Sequence, residues 1–246
     1  MASLYLVPAA EFADGVARGV VRIVGDEARH AAQVSRVRVG EYLSVSDGSG
    51  SIASGAVEQV TPGEVLVRIE VVRTDDAPRP ELWLAQALAK GDRDELAIQA
   101  ATELGVSGVI PWSAERSVSR WTGAKIEKGR ARWQTIVREA SKQAIRARVP
   151  EVAAVIGTHE LCTVASEGEL LLVLDPTAEF GIGDVDLEHV SRITLVVGPE
   201  GGISSAELSA FEAAGARRVR LGSEILRTST AGPAALSVLN ARLGRW

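Results

Sequence analysis

Two short stretches carry the residue types that could do chemistry. LVVGPEGGISSAEL (195–208) opens as an apolar β-type run, breaks on Gly198-Pro199 and Gly201-Gly202, and then starts a helix. Glycine has no Cβ, so it permits positive φ and lets the backbone approach another group closely, at an entropic cost. Three glycines at one strand end therefore fit either a tight chain crossing or a ligand loop. Ser204-x-x-Glu207 follows and matches a capping box, in which two side chains satisfy orphan N–H groups at a helix start. LGSEILRTSTAG (221–232) also follows a β-type run and sets Leu221, Ile225 and Leu226 beside Arg227, Thr228, Ser229 and Thr230. Such apolar side chains could enclose a flat aromatic ring such as adenine while strand-end backbone groups bond its edge. GPEGG is not G-x-G-x-x-G, and no Lys-Ser/Thr follows as a P-loop requires, so a dinucleotide or ATP site is poorly supported.

A third feature is electrostatic. The net charge is −5, yet Arg116 to Arg148 holds ten Lys/Arg against only Glu127 and Glu139, a segment of +8 in a remainder of −13. At helical spacing Trp133, Val137, Ala140 and Ala144 share one face, and Lys128, Arg132, Arg138, Lys142 and Arg146 occupy a broad sector opposite. A solvated helix face is the ordinary explanation of such a run, but the scarcity of acids favours an anionic partner. Trp121 could stack on a nucleobase or sit in the core. Glu103, Glu139, Glu200 and Glu224 are candidate proton acceptors, and His30 lies among Arg29, Arg36 and Arg38 on either an RNA-facing edge or a hairpin surface.

The elements that must position these residues fall into two textures. Residues 1–74 hold short β-type runs, VARGVVRIVG, EYLSVSDG, SIASGAVEQV and EVLVRIEVVR, which read as a small β-barrel or sandwich. A Pro-rich polar stretch at 75–80 separates them from strands alternating with helices. Helices are expected at Asp92–Leu104, Lys125–Ala147, Ala206–Ala214 and Pro233–Leu243, with Pro233 in a first turn. Strands are expected in ELWLAQAL, GVIPW, ELLLVLDP, RITLVVGP and RRVRLGSE. Alternation of this kind predicts an α/β fold with a mostly parallel sheet, whose ligands bind outside the carboxyl ends of the strands. Asp175-Pro176, Gly198–Gly202 and Gly222–Thr230 are those ends. Cys162 is the single cysteine and His30, His159 and His189 are far apart, so no metal is expected. No apolar run approaches the ~20 residues that span a bilayer, and the amino terminus lacks signal-peptide character. No membrane association and a cytoplasmic location are expected.

KGDRDELAIQAATELGV (90–106), PWSAERSV (111–118), LVVGPEGGIS (195–204) and LGSEILRTSTA (221–231) together resemble the RsmE family of 16S rRNA uracil-N3 methyltransferases, in the SPOUT superfamily. The resemblance implies a PUA-like RNA-binding β-barrel domain over 1–76 and a SPOUT methyltransferase domain over 77–246 with a deep C-terminal trefoil knot. It also implies a homodimer, 16S rRNA of the small ribosomal subunit as partner, and S-adenosylmethionine as cofactor. By the same resemblance the cofactor pocket comprises Leu174, Gly198, Pro199, Glu200, Gly201, Gly202, Ile203, Leu221, Gly222, Ile225, Leu226, Arg227, Thr228, Thr230 and Ala231. Arg227 is the candidate for stabilising the uracil anion and Glu200 for accepting the N3 proton. Candidate RNA contacts are His30, Arg36, Arg38, Arg116, Arg138, Lys142 and Arg146. Three positions depart from the family pattern: Arg29 stands for a histidine, Ser35 for a leucine and Ser229 for a common glutamate. A non-catalytic RNA-binding or ribosome-assembly factor is the alternative reading, and a metabolic enzyme using another nucleotide is a third.

Overall fold

The computed structural model describes residues 4–164 and 168–246. Two compact units emerge. The first comprises the chain up to Ala77 together with Ser141–Val149, and the second comprises Pro78–Ala140 and Pro150–Trp246.

The first unit is a five-stranded sheet in the order β1 (Leu4–Leu6), β3 (Tyr42–Ser46), β4 (Ser51–Thr61), β5 (Glu64–Thr74), β2 (Val20–Val24). Only β1 and β3 pair in parallel. Alternating side chains bury Val21, Ile23, Val65 and Val67 with Tyr5 and Phe12. The run VARGVVRIVG is not one strand. Its first three residues end helix α1 (Ala9–Arg18), Gly19 adopts φ 76 as the left-handed cap, and β2 starts after it. Residues 29–34 are likewise no hairpin: α2 (Gly25–Arg29) runs into a π-helical turn, His30–Val34.

Ser141–Val149 completes this unit. Gly50 N donates to Ala147 O at 3.0 Å and Val149 N to Gly48 O at 2.9 Å. Ala147 is buried with Leu4 and Ile52. Helix α4 (Ala124–Gln143) therefore stops four residues before the expected Ala147. Ile145 turns into the left-handed region at φ 53, and Arg146 N bonds Ser141 O at 2.9 Å to close the last turn.

In the second unit all strands are parallel, in the order β12 (Arg217–Val219), β10 (Glu169–Leu174), β11 (Arg192–Val197), β6 (Glu81–Ala87), β7 (Gly108–Ser113), β8 (Glu151–Val152), with β9 (Ile156–Gly157) also on β7. Helices cover both faces, which is why β6 and β11 are buried at every residue after the first. On one face Trp112 meets Phe211 of α6 (Ser205–Ala213) edge-on at 5.6 Å. On the other, α7 (Thr228–Arg242) packs on α3 (Arg93–Glu103), and Asn240 Nδ2 donates to Leu104 O at 2.7 Å. Helix α7 begins five residues before the expected Pro233, so that proline lies in its second turn. Pro233 lacks the N–H that would bond the carbonyl of Ser229. Gly232 beside it lets the helix backbone approach Leu84, since a Cβ there would stand 3.0 Å from Leu84 Cδ1.

Candidate active site

Strands β12, β10 and β11 are neighbours, so the loops leaving their carboxyl ends converge. They enclose a cleft of ≈ 700 Å³. Leu174 enters from β10, Gly198, Pro199, Glu200, Gly202 and Ile203 from β11, and Leu221, Gly222, Ile225, Leu226, Arg227, Thr228 and Ala231 from β12 and the start of α7. Two expected residues are elsewhere. Gly201 faces Arg116, whose Nη1 donates to its carbonyl at 3.2 Å, and Thr230 turns its hydroxyl back to Arg227 O at 3.1 Å. Arg93, Asp175, Thr177, Arg220 and Glu224 also line the cleft.

Each glycine of GPEGG has its own reason. A Cβ on Gly198 would lie 2.7 Å from Ile203 Cγ1, so only glycine lets the strand end pass the returning chain. On Gly201 it would meet Arg116 Cβ at 3.2 Å, and Gly202 needs φ 72 for the turn closed by its N–H on Pro199 O at 2.9 Å. The capping box forms as expected: Ser204 Oγ accepts from Glu207 N at 3.2 Å and Glu207 Oε2 accepts from Ser204 N at 3.0 Å. Glu207 Oε1 in addition accepts from Glu115 N and Thr158 Oγ1, both at 2.8 Å, anchoring α6 to the sheet.

The carboxylates of the cleft differ in their commitments. Glu200 Oε1 accepts from Arg93 Nη1 at 2.9 Å and from Lys90 N at 3.1 Å. Partial burial works to raise its pKa, but backbone N–H groups of Glu200 and Lys90 and the Arg93 guanidinium outweigh it and hold the carboxyl below its usual range. Burial acts the same way on Asp175, and is outweighed by the Thr177 N–H and hydroxyl and by Arg218, whose Nε donates at 2.8 Å. Glu224 and Arg227 are exposed and make no ion pair among the described residues.

Gln86 gave no signal in the sequence, where it interrupts an apolar strand. It is fully buried at the end of β6 and donates through Nε2 to Thr228 Oγ1 at 2.9 Å, which donates to Gly198 O at 2.8 Å. Its Nε2 also faces the carbonyl of Ala87 at 3.2 Å, an acceptor only, so that side of the amide must be the NH2. Its Oε1 has no hydrogen-bond partner among the described residues. With a donor at Gln86, the single hydroxyl proton of Thr228 goes to Gly198 O, which ties the start of α7 to the GPEGG loop.

The expected RNA contacts are divided between the two units. His30, Arg36 and Arg38 are exposed on the first unit. Lys142 Nζ is 3.2 Å from Glu27 with its side chain 10% exposed, and burial pushes Arg146 down to about 10, so neither is an open surface charge. Arg138 is half-buried, and Arg116 holds Gly201 O. Within α4, Arg132 is paired bidentately with Glu95, its Nη2 2.8 Å from Oε2, while Lys125 and Lys128 are exposed. The partners that neutralise the basic run come from remote sequence.

A cleft outside the carboxyl ends of parallel strands is where sheets of this type bind their ligands. The profile of the RNA methyltransferase domain matches residues 76–240 and that of the RNA methyltransferase PUA domain residues 23–70. Ribosomal RNA small subunit methyltransferase E of Mycobacterium bovis is 43% identical over 93% of this chain and 89% of its own length. The Bacillus subtilis protein of that name is 31% identical over 89% and 88%. Among solved structures, ribosomal RNA small subunit methyltransferase E of Neisseria gonorrhoeae bound to S-adenosyl methionine superposes with a TM-score of 0.85, at 29% identity over 98% of both chains. The chain belongs to the ribosomal RNA small subunit methyltransferase E family.

Proposed function

We propose that this protein methylates N3 of one uridine in 16S rRNA with S-adenosylmethionine as donor. The observation that carries this is the convergence of three strand-end loops on one cleft. Its volume lies within the ~300–1,000 Å³ of small-molecule sites. Leu174, Leu221, Ile225 and Leu226 offer apolar walls for an adenine ring, and the ionised Asp175 and Glu200 complement a sulfonium. S-adenosylmethionine would supply the methyl group.

The residues of the chain then have defined work. N3 carries a proton that must leave, and negative charge develops over the uracil carbonyl oxygens. Arg227, exposed on the cleft and unpaired among the described residues, is suited to stabilise that charge. Glu200 is a weak base because Arg93 and backbone N–H groups stabilise its charged form. Glu224, uncommitted on the same cleft, is the better acceptor of the proton. Because N3 lies on the Watson–Crick edge, the base must be unpaired or turned out. In this reading the first unit binds RNA, the second unit forms the knotted catalytic domain, and the enzyme is a cytoplasmic homodimer. Mass-spectrometric mapping of small-subunit rRNA from cells with and without the protein tests it: loss of a single 3-methyluridine is expected, and an unchanged map would overturn it.

A further inference from the structure

Residues 90–93 serve two cavities. Lys90 N and Arg93 hold Glu200 of the methyl-donor cleft, and the stretch Lys90–Asp92 lines a second cavity of ≈ 370 Å³ within the same unit. We propose, resting on the functional reading above, that this second cavity seats one unpaired nucleobase of the substrate RNA, stacked on Trp121. The indole is held as a fixed platform. It is half-buried, and the fully buried Trp133 meets it edge-on at 5.4 Å and 78°. Gly129 of α4 has no Cβ, and one placed there would collide with the Trp121 ring, so the ring rests directly on the helix backbone. Glycine inside a helix is disfavoured relative to alanine, and the position of this ring is what requires it.

The surroundings suit a neutral flat base with its phosphates outside. Val118 is 74% exposed at the rim, an apolar group with no role in a closed core. Two of the three acids of the cavity are committed, Glu95 to Arg132 at 2.8 Å and Asp94 to the N–H groups of Ala89 at 3.2 Å and Glu95 at 2.9 Å, while Asp92 is exposed to solvent. Burial also raises the Asp94 pKa, which reduces its repulsion of RNA. The exposed Lys90 offers a cation for a phosphate. Aromatic stacking tolerates any base, so this seat supplies affinity and orientation, while sequence is read elsewhere.

The full-length protein tests this with small-subunit rRNA as methyl acceptor. Trp121→Ala should raise KM for RNA about 5- to 150-fold, the loss of one stacked base, with S-adenosylmethionine affinity unchanged. Trp121→Phe should restore KM to within about threefold, and Trp121→Leu, which fills space without a π-face, should not. Gly129→Ala should displace the ring and raise KM, with a loss of melting temperature that the better helix propensity of alanine only partly offsets. Quenching of tryptophan fluorescence by hexauridylate should vanish in Trp121→Phe. Equal KM in Trp121→Leu and wild type, or unchanged quenching in Trp121→Phe, would overturn the proposal. Wild-type protein that transfers no methyl group would instead overturn the functional reading, and the quenching experiment would still decide the base seat.

Discussion

The two loops that face each other across the cleft are built in opposite ways. Residues 198–204 are tied at almost every position: Gly198 O to Thr228, Glu200 to Arg93 and Lys90, Gly201 O to Arg116, and Ser204 to Glu207. The side chains of residues 221–227 make no hydrogen bond among the described residues, the loop's one tie to a side chain being Arg227 O, which accepts from Thr230 Oγ1 at 3.1 Å, and they carry Ile225 at 82% and Leu226 at 40% exposure. Exposed apolar side chains beside a cleft lose free energy until something covers them. One wall is therefore pre-organised, and the other gains its contacts when a ligand arrives, so mutations on the two walls should have different signatures.

The largest contrast is expected at Arg227. Arg227→Ala on the free wall should lower kcat about 10²- to 10³-fold, as loss of a charge-stabilising donor does, with no change in melting temperature. Single-turnover kinetics with rRNA would measure it, and near-normal turnover would remove Arg227 from the chemistry. On the tied wall the effect should move to stability. Gln86→Glu places a carboxylate where no water reaches, draws the Thr228 proton away from Gly198 O, and should cost about 3 kcal/mol at neutral pH. Burial would raise the pKa of that new carboxyl above its unfolded value. The penalty, absent below the unfolded pKa, grows as pH rises, so urea melts of variant and wild type should converge toward pH 5. Melts that stay parallel would refute the relay.

Smaller effects complete the comparison. Ile225→Ser should weaken S-adenosylmethionine binding about five- to tenfold in calorimetric titration, about 1–1.4 kcal/mol of apolar contact, and leave the unliganded protein as stable as before. A loss of stability in the free protein would mean that the loop is already packed. Glu200 has a folded pKa below its ordinary 4.5, so it contributes stability above that pH and loses it as pH falls through the folded value. Glu200→Gln should therefore flatten the acid limb of the stability profile below 4.5. An unchanged acid limb would show that the Arg93 pair is inert.

The tied and free walls also differ in how well the sequence displays them. The parallel sheet, the capping box at Ser204 and Glu207 and the apolar residues of 221–226 follow from local periodicity and turn chemistry, so they are legible. Gln86 is not, because a lone amide in an apolar strand has the same signature whether it meets solvent or a hydroxyl 142 residues away. Arg116, Lys142 and Arg146 look like open charge for the same reason: Gly201 and Glu27, which occupy the first two, are brought near only by the fold. The start of α7 was hidden by Pro233, whose usual first-turn position draws the boundary too late. Trp121 had two readings in the sequence, and only Gly129 and Trp133 fix where its ring lies.

The segment Ser141–Val149 has a consequence for synthesis on the ribosome. Because Gly48 and Gly50 bond to Val149 and Ala147, the amino-terminal unit lacks part of its structure until Val149 has left the exit tunnel. The first unit thus cannot finish at Ala77 but waits for most of α4 and the segment after it, and a nascent chain released at Ala77 would expose Leu4 and Ile52 to whatever binds unfolded apolar surface.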